Sequence, residues 1–105
     1  MFRMNRSPLT ENLKKEMSLL KRTIKIYCVI EEEQPISISK LSEKVEVPEH
    51  KVRYSLRMLE KEKMIEPSPV GAKLTEKHPE FKEGLKKFLK NIGDLAFSLH
   101  DNLCD

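Results

Sequence analysis

Tryptophan is absent, and four phenylalanines and two tyrosines supply all the aromatic character of the 105 residues. Cysteine occurs twice. Cys28 and Cys104 are too few for a disulfide framework, and neither has CxxC or histidine spacing, so no metal centre is expected. Cys28 lies inside an apolar helical pattern and reads as a small buried hydrophobe, whereas Cys104, one residue from the end, reads as frayed. The three glycines stand apart, which excludes a phosphate-cradling loop. His50, His78 and His100 fall on different elements, and no HExxH or GxSxG is present. An enzyme is therefore not expected, nor is a cofactor. Long apolar runs are missing too. The longest, residues 26–30 (IYCVI), is far below the roughly 20 residues that cross a bilayer. The opening MFRMNRSPLT has no apolar h-region. The expectation is a soluble cytoplasmic protein with no membrane association.

Charge is what the chain has in abundance. Fifteen lysines and fourteen glutamates stand against a single glutamine, a bias similar to thermophile composition. Twenty basic and seventeen acidic residues leave a net +3, which is compatible with nucleic acid without demanding it. Where the charges fall matters more than their sum. The length suits one domain that buries about two thirds of its unfolded surface around a modest core.

Helix signals punctuate the chain. Ser7-Pro8 reads as N-cap and first helical residue. Apolar residues then recur at Leu9, Leu13, Leu20, Ile24 and Tyr27, predicting one long helix or two abutting ones ending near Glu32. Residues 19–30 are apolar on more than one side and should be the most buried. The run Glu31-Glu32-Glu33 closes this helix as solvated charge, an unfavourable sign at a C-terminus. Gln34-Pro35 stops it. Ser37 can cap a short helix to about Lys44, with Ile38, Leu41 and Val45 facing inward. A tight turn, EVPEH, leads to Pro48 at the first position of a helix that runs to about Lys63. In MIEPSPVGAKLT, two prolines and a glycine within five residues exclude a helix. Met64-Ile65 and Ala72–Leu74 can pair as a hairpin around Ser68-Pro69-Val70-Gly71. Thr75 or His78 then caps a last helix, with Pro79 in its first turn, reaching about Asn102.

This order, helix, short strand, helix, turn, helix, hairpin, helix, resembles the winged helix-turn-helix family. The resemblance covers residues 18–76 and rests on QPISISKLSEKVEVPEHKVRYSLRMLEKEKMIE and the trailing KLTEK. The whole is similar to small archaeal-type transcriptional regulators. It implies a mainly α fold with a small β-hairpin wing, in which the second of two closely linked helices enters the DNA major groove. Three parts are expected: an N-terminal helix extension over residues 1–17, the winged domain over 18–76, and a C-terminal dimerisation helix over 77–105. Lys63 stands where the family often places glycine in left-handed geometry after the recognition helix. The wing carries Lys73 as its one base.

On a helical wheel of residues 47–65, Val52, Leu56 and Leu59 fall within about 60° of one another. On the opposite side His50, Arg53, Tyr54, Arg57 and Lys61 cluster within about 100°, flanked by Lys51 and Ser55. Glu49 can pair with Arg53 along the helix, while Glu60 and Glu62 lie off the stripe. Arginine can donate two parallel hydrogen bonds to guanine, which makes Arg53 and Arg57 first choices for base contacts. His50, Lys51, Tyr54 and Ser55 follow, and Lys40, Lys44 and Lys73 suit the phosphate backbone. A bland alternative is a solvated face of a lysine-rich protein. RNA fits less well, because Tyr54 is the only stacking residue on this face.

The last helix spaces Phe81, Leu85, Phe88, Ile92, Leu95 and Leu99 as an a/d heptad seam, widened by Leu89, Ala96 and Leu103, with Phe97 well off it. It could pack only on its own domain, over Leu9, Leu13 and Met17. A two-fold homodimer is the preferred reading, since a helix of about 35 Å is too long for so small a core to cover. The functional expectation is a sequence-specific duplex-DNA-binding transcriptional regulator. A winged-helix protein-interaction module within a larger transcription or processing assembly is the alternative. No residue argues for a small-molecule effector.

Overall fold

Four helices and one small hairpin follow the punctuation of the sequence. The structure, a computed structural model, describes residues 8–104. Ser7, read as a cap, and the side chain of Leu9 lie outside the described residues. Helix α1 runs unbroken over Pro8–Glu33, crossing the expected boundary at residue 17. Helix α2 spans Ile38–Val45, where Ser37 Oγ accepts the Lys40 N–H at 3.2 Å as the N-cap. Helix α3 spans Glu49–Lys61, with Pro48 as its N-cap rather than its first helical residue. Strand β1, Ile65–Glu66, pairs antiparallel with β2, Lys73–Leu74, in the register Ile65 to Leu74 and Glu66 to Lys73. The short strand expected before α2 is reduced to one bridge, Ile36 to Ala72, on the other side of β2. Helix α4 covers His78–Asp101. Its N-cap is Lys77, not Thr75 or His78, although Thr75 Oγ1 accepts the Lys77 N–H at 3.3 Å.

The core sits where α1, α2 and α3 meet the hairpin. Ile26, Tyr27 and Ile30 of α1 pack with Ile36, Leu41, Val45, Val52, Leu56, Leu59, Met64 and Ile65. Ile38 contributes from the edge, half-buried. Cys28 is exposed, contrary to expectation. Five consecutive apolar residues on a helix span more than a full turn, so they cannot all face one core. Cys28 points about 160° from Ile30, away from the packed side.

Two left-handed residues shape the joints around α3. Glu46 (φ 56°) turns α2 into α3, and Lys63 (φ 60°) ends α3. Met64 N–H donates to Leu59 O at 3.0 Å and Lys63 N–H to Glu60 O at 2.9 Å, the paired bonds of a Schellman cap. Gly71, at φ 131°, lies against the Ile36 backbone so closely that a Cβ there would come within 2.5 Å of it.

Two of the three glutamates ending α1 acquire partners from other elements. Glu33 pairs with Lys44 of α2 at 2.8 Å, and both Glu31 oxygens accept from Lys82 Nζ of α4 at 3.1 and 3.0 Å. These cations offset the sign that is unfavourable for the helix dipole. Helix α4 buries no residue, although Leu85, Leu89 and Ile92 are half-buried and Leu89 borders a groove with Met17, Leu20 and Ile24 of α1. The radius of gyration is 16.5 Å against about 13 Å for a compact chain of this length.

Candidate nucleic-acid interface

Helix α3 is amphipathic, and its burial follows the wheel. Val52, Leu56 and Leu59 are buried, which fixes the helix on the core and turns its other side outward. His50, Lys51, Arg53, Arg57 and Lys61 are all exposed along that outer side. Tyr54 is about half exposed, because its ring borders a groove with Leu20, Thr23, Met58 and Phe81. Arg53 donates to Glu49 Oε1 at 3.3 Å across one helical turn. This exposed pair is weak, and a stronger acceptor can displace it.

Ser55 departs from expectation. It is fully buried and cannot reach a nucleic acid. On the wheel it lies about 100° from Tyr54 but only about 40° from Leu59, so it belongs to the packed side. Its Oγ shares a hydrogen bond of 2.9 Å with Thr23 Oγ1 and accepts one of 3.2 Å from Arg22 Nε. Ser55 therefore anchors α3 to α1. The sequence carried a signal for this contact: Thr23 is a polar residue inside the most apolar stretch of α1, where a buried hydroxyl needs a partner.

The remaining expected contacts are spread over neighbouring elements. Lys40 is exposed on α2 and Lys73 on β2. Lys44 is also exposed, but its ammonium is bound to Glu33, and that hydrogen bond raises its pKa above the usual lysine value. Lys63 and Lys77 line the same open depression as Lys73, so the wing edge is more basic than Lys73 alone. Glu66 and Glu76 share that depression and offset part of the charge.

Behind the interface, Tyr27 joins α1 to the root of α4. Its hydroxyl and His78 Nδ1 share a hydrogen bond of 2.8 Å, and its ring meets Phe81 edge-on at 6.4 Å. Burial, helped by the negative charges of Glu31 and Cys28, pushes the Tyr27 pKa up to about 12. Among the described residues no cluster of His, Cys, Asp or Glu could hold a metal ion, and no helix is long and apolar enough to cross a membrane.

The exposed seam of α4 is distinct from this face. Phe88, Leu95, Leu99 and Leu103 are more than half exposed, and Leu85, Leu89 and Ile92 are half-buried. Phe81 alone of the seam packs against the core. Leu13 and Met17 of α1 are exposed too, and Met17 borders a groove with Leu89.

Two closely linked helices, an outward basic α3 and a hairpin edge beside it form a surface suited to a groove flanked by phosphates. Residues 19–66, from the middle of α1 through β1, match the family described as winged helix-turn-helix DNA-binding. No curated protein matches the chain.

Proposed function

We propose that this chain, built around a winged helix-turn-helix DNA-binding domain at residues 19–66, is a sequence-specific duplex-DNA-binding protein that regulates transcription as a homodimer. One observation carries the reading. The outer side of α3 presents His50, Arg53, Arg57 and Lys61 to solvent, with Lys51 beside them; no acid lies among them, and Glu49 and Glu60 stand at the margin next to Arg53. Arg53 and Arg57 are the base readers and Lys51 and Lys40 the phosphate contacts.

The open seam of α4 supports the homodimer. Phe88, Leu95, Leu99 and Leu103 offer a continuous apolar strip, which a two-fold pair of α4 helices would bury. Pairing would set two α3 helices to read half-sites about 34 Å apart.

Fluorescence anisotropy on a duplex selected from a random pool tests the reading. Arg57→Ala should cost about 1–3 kcal/mol and relax one base position, whereas Lys51→Ala should weaken all sequences alike. Affinity unchanged in both variants, or no duplex binding even at low salt, would overturn it and turn attention to a protein partner for the same face.

A further inference from the structure

Among the described residues, the largest group of cations without carboxylate partners lies on α1, outside the surface assigned so far. Lys14, Lys15, Lys21, Arg22 and Lys25 fall within about 120° of the helix circumference, with Ser18 in their midst. Glu16, the one acid within that segment, points about 160° from the centre of the stripe. Glu11 and Glu32 close it off at its two ends. All four lysines are exposed. Elsewhere, Lys44, Lys82 and Lys90 hold carboxylates at 2.8, 3.0 and 3.3 Å. None of the four α1 lysines does so among the described residues, and Arg22 gives its Nε to Ser55. A chain with nearly balanced charge thus leaves one helix face strongly positive.

This face adjoins the helix-turn-helix. Ser18, Lys21, Arg22 and Lys25 line a groove with Val45 and Val47 of the α2–α3 joint. Arg22 touches Ser55, which lies one turn along α3 from Lys51. Lys21, Arg22 and Lys25 therefore flank the α2–α3 joint at the foot of the recognition helix. From Lys14 to Lys25 the stripe is about 17 Å long, matching about five base pairs of duplex rise. The apolar side of α1, with Met17, Leu20 and Ile24, faces Leu89 of α4 across a separate groove, so it is directed at α4 and not at a lipid surface.

We infer that the α1 stripe is a second phosphate track, which lies along the DNA backbone flanking the site read by α3. It reads no bases. Its lysines act as point charges that release counterions, so it lengthens the footprint and steepens the salt dependence. The inference rests on the DNA-binding reading of α3.

The test uses the full chain and a variant with Lys14→Gln, Lys15→Gln, Lys21→Gln and Lys25→Gln. These sites are exposed, and glutamine has a helix propensity close to that of lysine. Lys21→Gln/Lys25→Gln serves as the milder variant if the fourfold change disturbs the fold by circular dichroism. Anisotropy is recorded over a salt series on random-sequence duplexes of about 12 and about 30 base pairs. On the long duplex each phosphate contact removed should flatten the slope of log K against log salt by about 0.9, with affinity falling more than tenfold for the fourfold variant near 0.1 M salt. On the short duplex the difference should shrink. If the variants match the parent on the long duplex while Arg57→Ala still binds more weakly, the stripe does not touch DNA and the α3 reading stands. Failure of the parent to bind either duplex overturns both. Binding of the parent, but not the variants, to phosphatidylserine vesicles, with DNA affinity unchanged, overturns the inference in favour of a lipid surface.

Discussion

Ser55 holds α3 to α1 with a single oxygen, shared between Thr23 and Arg22. Ser55→Ala keeps the volume nearly constant but leaves the buried Thr23 hydroxyl without that partner. Urea unfolding should show a loss of about 1–3 kcal/mol, with no direct loss of a DNA contact. Tyr27 makes a second prediction. Its pKa of about 12 in the fold exceeds the ordinary value of 10.0, so the folded state holds this proton more tightly than the unfolded chain. Its contribution to stability is complete below pH 10 and is lost as pH rises from 10 towards 12, by up to about 2–3 kcal/mol. Lysines also titrate in that range, so the measurement compares the parent with Tyr27→Phe, which should lose less stability across it. At this scale the sequence was legible where periodicity alone decides, as at Val52, Leu56 and Leu59. At Ser55 and Cys28 residue type misleads and wheel position decides. A serine near the basic stripe still belongs to the packed side, and a cysteine in an apolar run still points outward.

Proline and serine set the elements. Pro35, Pro48 and Ser37 place the ends of α1, α2 and α3 to within a residue or two, because each acts through local backbone geometry. The Glu31-Glu32-Glu33 ending was opaque from sequence alone, since Lys44 and Lys82 reach it only through tertiary packing. Lys63 was legible as a departure from glycine, and its φ of 60° agrees. Glu46 sits in the same region and carried no such signal. Left-handed geometry costs a side chain about 1–2 kcal/mol. Lys63→Gly, keeping the cap bonds, should therefore raise stability by about 1 kcal/mol, or about 4–8 °C in Tm by calorimetry. Gly71→Ala should act the other way. Its Cβ would meet the Ile36 carbonyl at 2.5 Å, so the Ile36–Ala72 bridge must open. A loss of about 1–3 kcal/mol is expected, with faster amide exchange at Ala72.

For the whole molecule, the dimensions of 56 × 31 × 20 Å go with two long helices, α1 of 26 and α4 of 24 residues. The heptad spacing was legible in sequence. So was its incomplete cover within one chain, since a helix of about 35 Å is longer than so small a core can cover; which seam residues stay half-buried (Leu85, Leu89 and Ile92) was not, because that depends on where α4 departs from its anchor. If two copies pair through it, sedimentation equilibrium should give twice the chain mass of 12.3 kDa. Leu95→Glu with Leu99→Glu should return the single-chain mass while leaving the far-ultraviolet spectrum of the domain intact. A single-chain mass for the parent at micromolar concentration would remove the dimer and the half-site spacing together. The attachment of α4 has a mechanical consequence. Among the described residues its polar and aromatic fastenings lie near its start, from Tyr27 to His78 and Phe81 and from Glu31 to Lys82, and Leu89 borders α1 further along. The length beyond Leu89, to Asp101, is about 18 Å. A rotation of about 10° there sweeps the far end through an arc of about 3 Å, close to the rise of one base pair. Whatever grips the tip holds a lever whose fulcrum is Leu89, beside Leu20 and Ile24 of α1. The same α1 helix carries Thr23 under Ser55 one turn away, so torque applied at the tip is delivered close to the root of the reading head.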